Sequence, residues 1–210
     1  MYELYYSPGT ASMAVHLALL EIGAEHVLKL VDIEAGAQRS PDYMRLNPNG
    51  VVPTLVIDGR PCGETAALLF LLAERHPEAG LAPAPGTPER TTWTQWMVHF
   101  ANTLQPAFRN WFYPHEPCGE AHAEEAKESA RRRIEAAWQR VDDHLAAAGP
   151  YMAGSRFSTA DIFCTMLMRW TRNMPRPATE WPHAKALADL VRARPAWQQL
   201  YRIEGLTGFE

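Results

Sequence analysis

Two short segments of the sequence carry groups that could bind a small peptide or an anion. In residues 51–55, Pro53 interrupts a β-branched run, and because proline has no N–H the backbone there must bend or stay exposed. In the second segment, Glu64-Thr65 stands directly before the apolar run 66–73, which predicts a helix. An exposed backbone edge can pair with an extended peptide, and a helix N-terminus attracts negative charge. The two segments together predict a binding site.

Three hydroxyl groups lie where the first predicted strand gives way to the first helix, and they belong to Tyr6, Thr10 and Ser12. A hydroxyl that donates a hydrogen bond to a thiolate lowers the pKa of the thiol. We rank Thr10 first, because the preceding Pro8-Gly9 turn can present its side chain, then Ser12 and then Tyr6. Serine and threonine are also preferred helix caps, so Thr10 and Ser12 could instead serve the helix.

The elements that must position these groups alternate between strand and helix. Strands are predicted at residues 2–6, 26–31, 54–57 and 60–63, and helices at 12–22, 40–44 and 65–76. The last two strands form a hairpin around Asp58-Gly59. This order, βαβ, then a helix, a hairpin and a helix, is typical of a small α/β domain with a mixed sheet.

A segment rich in proline and glycine separates this region from one that is helical throughout. Residues 81–88, with the sequence LAPAPGTP, predict a linker. Beyond it apolar residues recur at helical spacing, as at Ile134 and Trp138, and Ser158 with Asp161 predicts a capping box at a helix start. We therefore predict an α/β domain over residues 1–80, a linker over 81–88 and an all-helical domain over 89–210.

The composition argues against several classes of partner. The chain of 210 residues has a net charge of −4 and no basic stripe, which argues against nucleic acid. The longest apolar run, residues 66–73, is far too short to span a bilayer, and the first residues lack the pattern of a secretory signal. Three cysteines without a CxxC pair suit a reducing compartment. A cytoplasmic protein that does not enter the membrane is therefore predicted.

One cluster of possible ligands raises the question of a metal. His115, Glu116, Cys118 and His122 have a spacing that could suit zinc, but they lie in a loop broken by proline and glycine, without a second paired cluster. We predict that the chain binds no metal. Cys62, close to the candidate site, is expected to be a strand residue that faces the core rather than a nucleophile.

The chain resembles the cytosolic glutathione transferases along essentially its whole length. Residues 51–55 are similar to the family's cis-proline segment, Glu64-Thr65 to the pair that receives the γ-glutamyl end of glutathione, and residues 158–161 to an N-capping motif in the second domain. The opening YYSPGTAS most resembles the bacterial beta class, and also the delta class. The resemblance implies a thioredoxin-like N-terminal domain, an all-α C-terminal domain, glutathione as co-substrate and a homodimer.

The resemblance also implies roles for single residues in the glutathione site. If the Val52–Pro53 bond is cis, the backbone N–H and C=O of Val52 face outward and pair with the cysteinyl part of glutathione, whereas a trans bond in an ordinary turn is the alternative. Glu64 would take the ligand ammonium. Thr65 would take a carboxylate, or simply cap its helix. The candidates for the glycine carboxylate are Asn49 and Gln38.

Two beta-class marks are missing from this chain. Ala11 falls where the beta class carries a cysteine, and Gln105 where it carries a histidine, while Thr10 falls where the delta and theta classes carry their catalytic serine. Because no cysteine precedes Cys62, the resemblance implies that the protein supplies proximity and thiolate stabilisation rather than a covalent intermediate.

An aromatic segment of the second domain is predicted to hold the electrophile. Pro106 should kink or end its helix, so that the residues beyond it line an apolar pocket. Two arginines beside several aromatic rings point to an anionic or aromatic electrophile. Any single ring could instead belong to the core. The predicted pocket consists of Gln105, Arg109, Trp111, Phe112, Tyr113, Met166, Arg169 and Trp170.

These expectations describe a glutathione S-transferase that joins the glutathione thiolate to a small hydrophobic or aromatic electrophile. Two alternatives stay open: a glutathione-dependent peroxidase or thiol transferase, and a non-catalytic ligand-binding member of the fold. The missing early cysteine argues against mixed-disulfide exchange, and the presence of Glu64-Thr65 argues against loss of the ligand site.

Overall fold

Four strands form one mixed sheet in the computed structural model, which describes residues 1–209. They are β1 (Tyr2–Tyr6), β2 (His26–Leu30), β3 (Thr54–Ile57) and β4 (Arg60–Cys62), in the spatial order β2-β1-β3-β4. β1 pairs in parallel with β2 and antiparallel with β3, which pairs antiparallel with β4. The predicted mixed sheet is confirmed, and each strand end lies within one residue of its predicted position.

The helices of the described chain are α1 (Ser12–Ile22), α2 (Pro41–Leu46), α3 (Thr65–Arg75), α4 (Pro88–His99), α5 (Gln105–Phe112), α6 (Ala123–Ala148), α7 (Thr159–Trp170), α8 (Pro182–Arg192) and α9 (Pro195–Glu204). Local chemistry sets several of their ends. Gly23 closes α1 at φ 71°. Ser40 caps α2 by accepting the N–H of Tyr43, and Pro41 occupies its first position. None of the helices in residues 1–209 is long and apolar enough to cross a membrane.

The described chain divides into two compact units. The first unit comprises residues 1–82 and 192–208, and the second comprises residues 83–191 with Phe209. The boundary at residue 82 falls inside the predicted linker, but the predicted helical domain, residues 89–210, differs from this division because α9 belongs to the first unit. Two contacts explain the difference: the Glu204 carboxylate lies 2.8 Å from His16 of α1, and Arg194 donates to Glu21 at 2.6 and 2.7 Å.

The first unit has its core between the sheet and helices α1 and α3. Leu4 and Leu55 face each other across β1 and β3, and both side chains are fully buried. Leu17 of α1 and Leu68 of α3 are likewise buried at 1% and 0% exposure. This packing holds the C-terminal end of β1 and the N-terminal end of α3, where the candidate residues lie.

The regular elements of the second unit, as far as the structure describes it, are helices, apart from an isolated bridge between Tyr151 and Gly154. The predicted apolar stripe of α6, which includes Ile134 and Trp138, is buried, and α7 is buried along almost its whole length. Trp93 of α4 donates its indole N–H to the hydroxyl of Thr159 at 3.0 Å. The predicted kink at Pro106 takes the form of a π-helical turn, Phe100–Leu104, between α4 and α5. The wider turn accommodates a residue that cannot donate to the preceding helical turn.

Candidate functional site

The loop before β3 leaves a peptide edge open. The Val52–Pro53 bond is cis, as predicted. Pro53 is buried and Val52 is half-buried. Within residues 1–209, neither the N–H nor the C=O of Val52 has a hydrogen-bond partner. The edge can therefore pair with an added extended chain.

The start of α3 presents a second group of free donors. Glu64 is exposed and adopts φ 66° and ψ 107°, a sparsely populated region for a residue with a side chain. Its side chain does not cap the helix, and the Thr65 hydroxyl makes no hydrogen bond within the described chain, so the capping alternative for Thr65 is not realised. The first N–H groups of α3 and the positive end of the helix dipole are thus available to a carboxylate.

The turn after β1 brings Thr10 and Ser12 together but exposes only one of them. Ser12 is fully buried; its hydroxyl accepts the N–H of Ser7 at 3.2 Å and donates to the Ser7 carbonyl at 3.0 Å. The Thr10 hydroxyl is half-buried and lies 2.7 Å from the Ser7 carbonyl and 2.9 Å from the Ser12 hydroxyl. Ser12 therefore shapes the turn, while Thr10 has an accessible hydroxyl.

Tyr6, the third candidate, lies near a carboxylate that no local pattern predicts. Burial, and then the charge of Glu204, raises the pKa of the Tyr6 phenol. Glu204 is buried, where it accepts the N–H of Gly9 at 2.9 Å and pairs with His16 at 2.8 Å. A phenol with a raised pKa is a weaker hydrogen-bond donor to a thiolate, so Tyr6 is less suited to activate a thiol than Thr10.

The loop that precedes α2 contains a cation near the Pro53 segment. The Gln38 amide donates to the Ile33 carbonyl at 3.3 Å, and Asn49 is exposed. Arg39 is also exposed, and its guanidinium lies so close to Gly50 that a Cβ at that position would come within 2.8 Å of Nη1. Arg39 is a better partner for a carboxylate than Gln38 or Asn49 because it carries a charge. Arg39 is not among the binding residues predicted from the sequence, and only its position next to Gln38 could have pointed to it.

In the second unit, only part of the predicted electrophile pocket comes together. Phe112 is 47% exposed, and its ring lies 6.1 Å from that of Trp170, edge to face. The ring of Trp111 lies against Lys127, whose Nζ is 4.9 Å from the ring centre. Gln105 is half-buried, whereas Met166 and Arg169 are buried.

Arg109 is engaged in a local cluster. Its Nε donates to Glu116 at 2.6 Å, and its guanidinium lies 4.3 Å above the ring of Tyr113. The carboxylate neutralises the cation, which therefore has little charge to offer an anionic electrophile.

The three cysteines are distant from the Thr10 turn in the sequence, and none of them forms a disulfide bond. The Cys62 thiol donates to the Gly63 carbonyl at 3.5 Å, the exposed Cys118 thiol faces several carbonyl oxygens, and burial raises the pKa of the Cys164 thiol. All three are free thiols. No group of three or more His, Cys, Asp and Glu side chains in residues 1–209 could hold a metal ion.

Two family models match the chain. Residues 10–75 match a model described as the N-terminal domain of glutathione S-transferase, and residues 121–202 match one described as its C-terminal domain. Their order along the chain is the order of the predicted α/β and helical domains.

Individual relatives resemble the chain over most of its length. "Glutathione S-transferase GST-4.5" of Xanthomonas campestris is 33% identical over 172 residues, which cover 80% of this chain and 81% of that protein. A glutathione transferase structure from Methylococcus capsulatus is 31% identical, with a TM-score of 0.88 over 99% of this chain and 100% of that one. A sphingomonad glutathione S-transferase complexed with glutathione is 31% identical, with a TM-score of 0.85 over 98% of this chain and 100% of that one.

Proposed function

Since the chain belongs to the glutathione S-transferase family, we propose that it binds glutathione in its first unit and joins the thiolate to a small hydrophobic or aromatic electrophile. The observation that carries this proposal is the pair of open donor sets, at Val52 and at the start of α3, beside the Thr10 turn. Glutathione is a co-substrate here, and the proposed chemistry uses no metal.

The glutathione-binding groups match the charges of the tripeptide, which has two carboxylates and one ammonium. Val52 pairs through its backbone with the cysteinyl part. Glu64 takes the ammonium, and the hydroxyl and N–H of Thr65 take the γ-glutamyl carboxylate, supported by the dipole of α3. Arg39 takes the glycine carboxylate, with Gln38 beside it before α2 and Asn49 in the loop that follows α2.

Thr10 is the proposed activator of the glutathione thiol. Three donors crowd the Ser7 carbonyl, namely the Thr10 N–H at 3.3 Å, the Thr10 hydroxyl at 2.7 Å and the Ser12 hydroxyl at 3.0 Å. A carbonyl oxygen has only two lone pairs, so the Thr10 proton can leave it without creating an unsatisfied acceptor. If Ser12 then turns its proton from the Ser7 carbonyl to the Thr10 oxygen, 2.9 Å away, the Thr10 N–H still satisfies that carbonyl. The resulting chain of hydrogen bonds strengthens the donation from Thr10 to the thiolate.

The reaction is a direct attack of the thiolate on the electrophile. Ala11 stands where a cysteine would be needed for a mixed disulfide, so the protein contributes orientation and thiolate stabilisation. The exposed ring of Phe112 and the half-buried ring of Trp170 would bind the electrophile. Because Arg109 is paired with Glu116, we expect neutral aromatic compounds to be preferred. Gln105, Trp111 and Tyr113 would contribute at the margin, and the buried Met166 and Arg169 would support the rings.

The assembly and location follow from the family resemblance and from the free thiols. We propose a homodimer in the cytoplasm, where Cys62, Cys118 and Cys164 would stay reduced. Light scattering in solution tests the dimer, and a mass near 23.6 kDa, that of one chain, would contradict it.

The test of function combines calorimetry with glutathione and a conjugation assay with an activated aryl chloride. Thr65→Ala should weaken glutathione binding by about 1–3 kcal/mol, the cost of a lost hydrogen bond to a charged group. Thr91→Ala, at an exposed threonine of α4, is the matched control and should leave binding unchanged. A wild-type protein that does not bind glutathione would contradict the proposal. Turnover of a hydroperoxide or a disulfide instead of the aryl chloride would identify the peroxidase or thiol-transferase alternative.

A further inference from the structure

We propose that Tyr43 and Asn47 are positioning residues of the glutathione site, because they hold the Val51 carbonyl from the interior and thereby aim the Val52 N–H at the ligand. The inference rests on the proposed function. It concerns two side chains that are buried themselves and act through the backbone of the Pro53 loop.

A buried polar cluster lies behind this loop. The Tyr43 hydroxyl lies 2.7 Å from the Val51 carbonyl oxygen, and the Asn47 amide nitrogen lies 2.9 Å from the same oxygen. The Thr54 hydroxyl lies 2.9 Å from the Tyr43 hydroxyl and 3.1 Å from the Asn47 amide nitrogen. Tyr43, Asn47 and Thr54 are 5%, 6% and 0% exposed, so water does not compete for these bonds.

The direction of every hydrogen bond in the cluster can be assigned. The Val51 carbonyl only accepts, so Tyr43 and Asn47 must both donate to it. The Tyr43 oxygen then accepts from Thr54, whose oxygen accepts the second amide proton of Asn47. The Asn47 oxygen accepts the N–H of Asn49 at 3.1 Å, which fixes the orientation of the amide. No proton is left to rearrange, and the cluster therefore has one arrangement.

This arrangement fixes the direction of the Val52 N–H. Val51 C=O and Val52 N–H belong to one planar peptide unit, and in a trans peptide they point in opposite directions. The only cis bonds in the described chain are those before Pro53 and Pro150, so the Val51–Val52 bond is trans. Two donors hold the carbonyl toward the interior, so the Val52 N–H points away from it. This is the direction in which an added strand would need a donor.

Asn47 also borders the second group of donors. A Cβ on Gly63 would lie 3.4 Å from the Asn47 amide nitrogen. Gly63 directly precedes Glu64, whose unusual backbone conformation starts α3. The same side chain therefore supports the Val52 edge and borders the residue that leads into the proposed γ-glutamyl site.

The test compares binding with turnover. Tyr43→Phe should raise the Kd for glutathione about tenfold, as expected for the loss of one of the two donors to the Val51 carbonyl, and leave kcat at saturating glutathione unchanged. The titration of the bound thiol should also stay unchanged, because Thr10 is not affected. Tyr151→Phe, in the second unit, is the control and should behave as the wild type. Thr54→Val keeps both donors to Val51 and should change the Kd far less than Tyr43→Phe.

Amide hydrogen exchange provides a direct measurement in the unaltered protein. Glutathione should slow exchange of the Val52 N–H by tenfold or more, and by much less in Tyr43→Phe. The inference is overturned if Tyr43→Phe binds as the wild type does, if Thr54→Val weakens binding equally, or if glutathione leaves Val52 exchange unchanged. The exchange measurement on the wild-type protein can overturn the inference even if Tyr43→Phe does not fold. Wild-type protein that binds no glutathione would instead refute the proposed function.

Discussion

At the scale of the residue, the chemistry proposed for this chain depends on one proton. The Thr10 hydroxyl shares the Ser7 carbonyl with a second hydroxyl and an N–H, so its proton can turn to a ligand thiolate without loss to the turn. Ser12 cannot take this role directly because it is fully buried. The burial and the nearby carboxylate that raise the pKa of Tyr6 make it the weaker donor.

Replacement of the Thr10 hydroxyl should therefore change the acidity of the bound thiol. Thr10→Val should raise the pKa of bound glutathione by about one pH unit, since a hydrogen bond to a charged group contributes at least that much. Thr10→Ser, the matched control, should keep the wild-type value. Thiolate absorbance against pH gives the measurement. A titration that is unchanged in Thr10→Val but shifted in Ser12→Ala would assign the role to Ser12.

The cysteines should be dispensable. Replacement of Cys62, Cys118 and Cys164 by alanine should leave most of the conjugating activity in a folded protein, because the proposed mechanism uses no cysteine and the Thr10 turn contains none. Steady-state rates with the aryl chloride and a circular dichroism spectrum check this. A loss of about a hundredfold, roughly 2.7 kcal/mol on the barrier, would show that a thiol takes part.

At the scale of the element, α7 depends on a carboxyl group enclosed at its start. Asp161 accepts the N–H of Met152 and of Ser158, both at 2.7 Å, and the Ser158 hydroxyl at 3.0 Å. Its side chain completes the predicted capping box. Complete burial raises the pKa of this carboxyl to about 7 and outweighs the three donors, which lower it.

The unfolding free energy should consequently depend on pH through Asp161. The folded protein holds this proton more tightly than the unfolded chain, whose carboxyl has the ordinary value of 3.8. The contribution to stability is therefore complete below pH 3.8 and is lost as the pH rises to about 7. Urea unfolding across this range should show the decline in the wild type, and the difference from Asp161→Asn isolates it. Parallel curves for the two proteins would contradict the assignment.

The ends of helices that are set by neighbouring residues in the sequence could be predicted, whereas features that depend on distant residues could not. The cap of α2, the capping box of α7 and the start of α3 each follow from neighbouring residues. The sequence predicts only that Pro106 kinks or ends its helix. It does not predict the π turn, because nothing in the local sequence determines how the helix compensates for the missing N–H donor. The cluster of Tyr43, Asn47 and Thr54 behind the Val52 edge was missed, since its polar residues look like ordinary loop residues until the chain folds.

At the scale of the whole molecule, residues 192–208, which include α9, belong to the first unit although they follow the second unit in the sequence. The buried pair of His16 and Glu204 spans 188 positions, and no local pattern could predict it. Because Glu204 also accepts the Gly9 N–H, the last helix holds the turn that carries Thr10. The turn that carries Thr10, the proposed activator of the thiol, is thus held by residues from both ends of the sequence.

Loss of the buried carboxylate should destabilise the protein strongly. Glu204→Ala leaves the buried His16 ring without its hydrogen-bond partner and should lower the unfolding free energy by about 1–3 kcal/mol, the cost of a buried polar group left unsatisfied. Glu180→Ala removes a carboxylate from an exposed pair with Arg176 and should cost less than about 1 kcal/mol. Urea unfolding of both variants gives the comparison, and equal costs would show that the buried pair contributes no more than an exposed one.

The position of α9 also sets an order of events during protein synthesis. The segment over residues 1–82 leaves the ribosome long before the helix that completes its unit, whereas residues 83–191 leave it as one continuous stretch. Domains generally fold as units while the chain is made. The Gly9 turn therefore receives its carboxylate only after residue 204 has emerged. A truncation before residue 204 would leave residues 83–191 intact but would remove the carboxylate that accepts the Gly9 N–H.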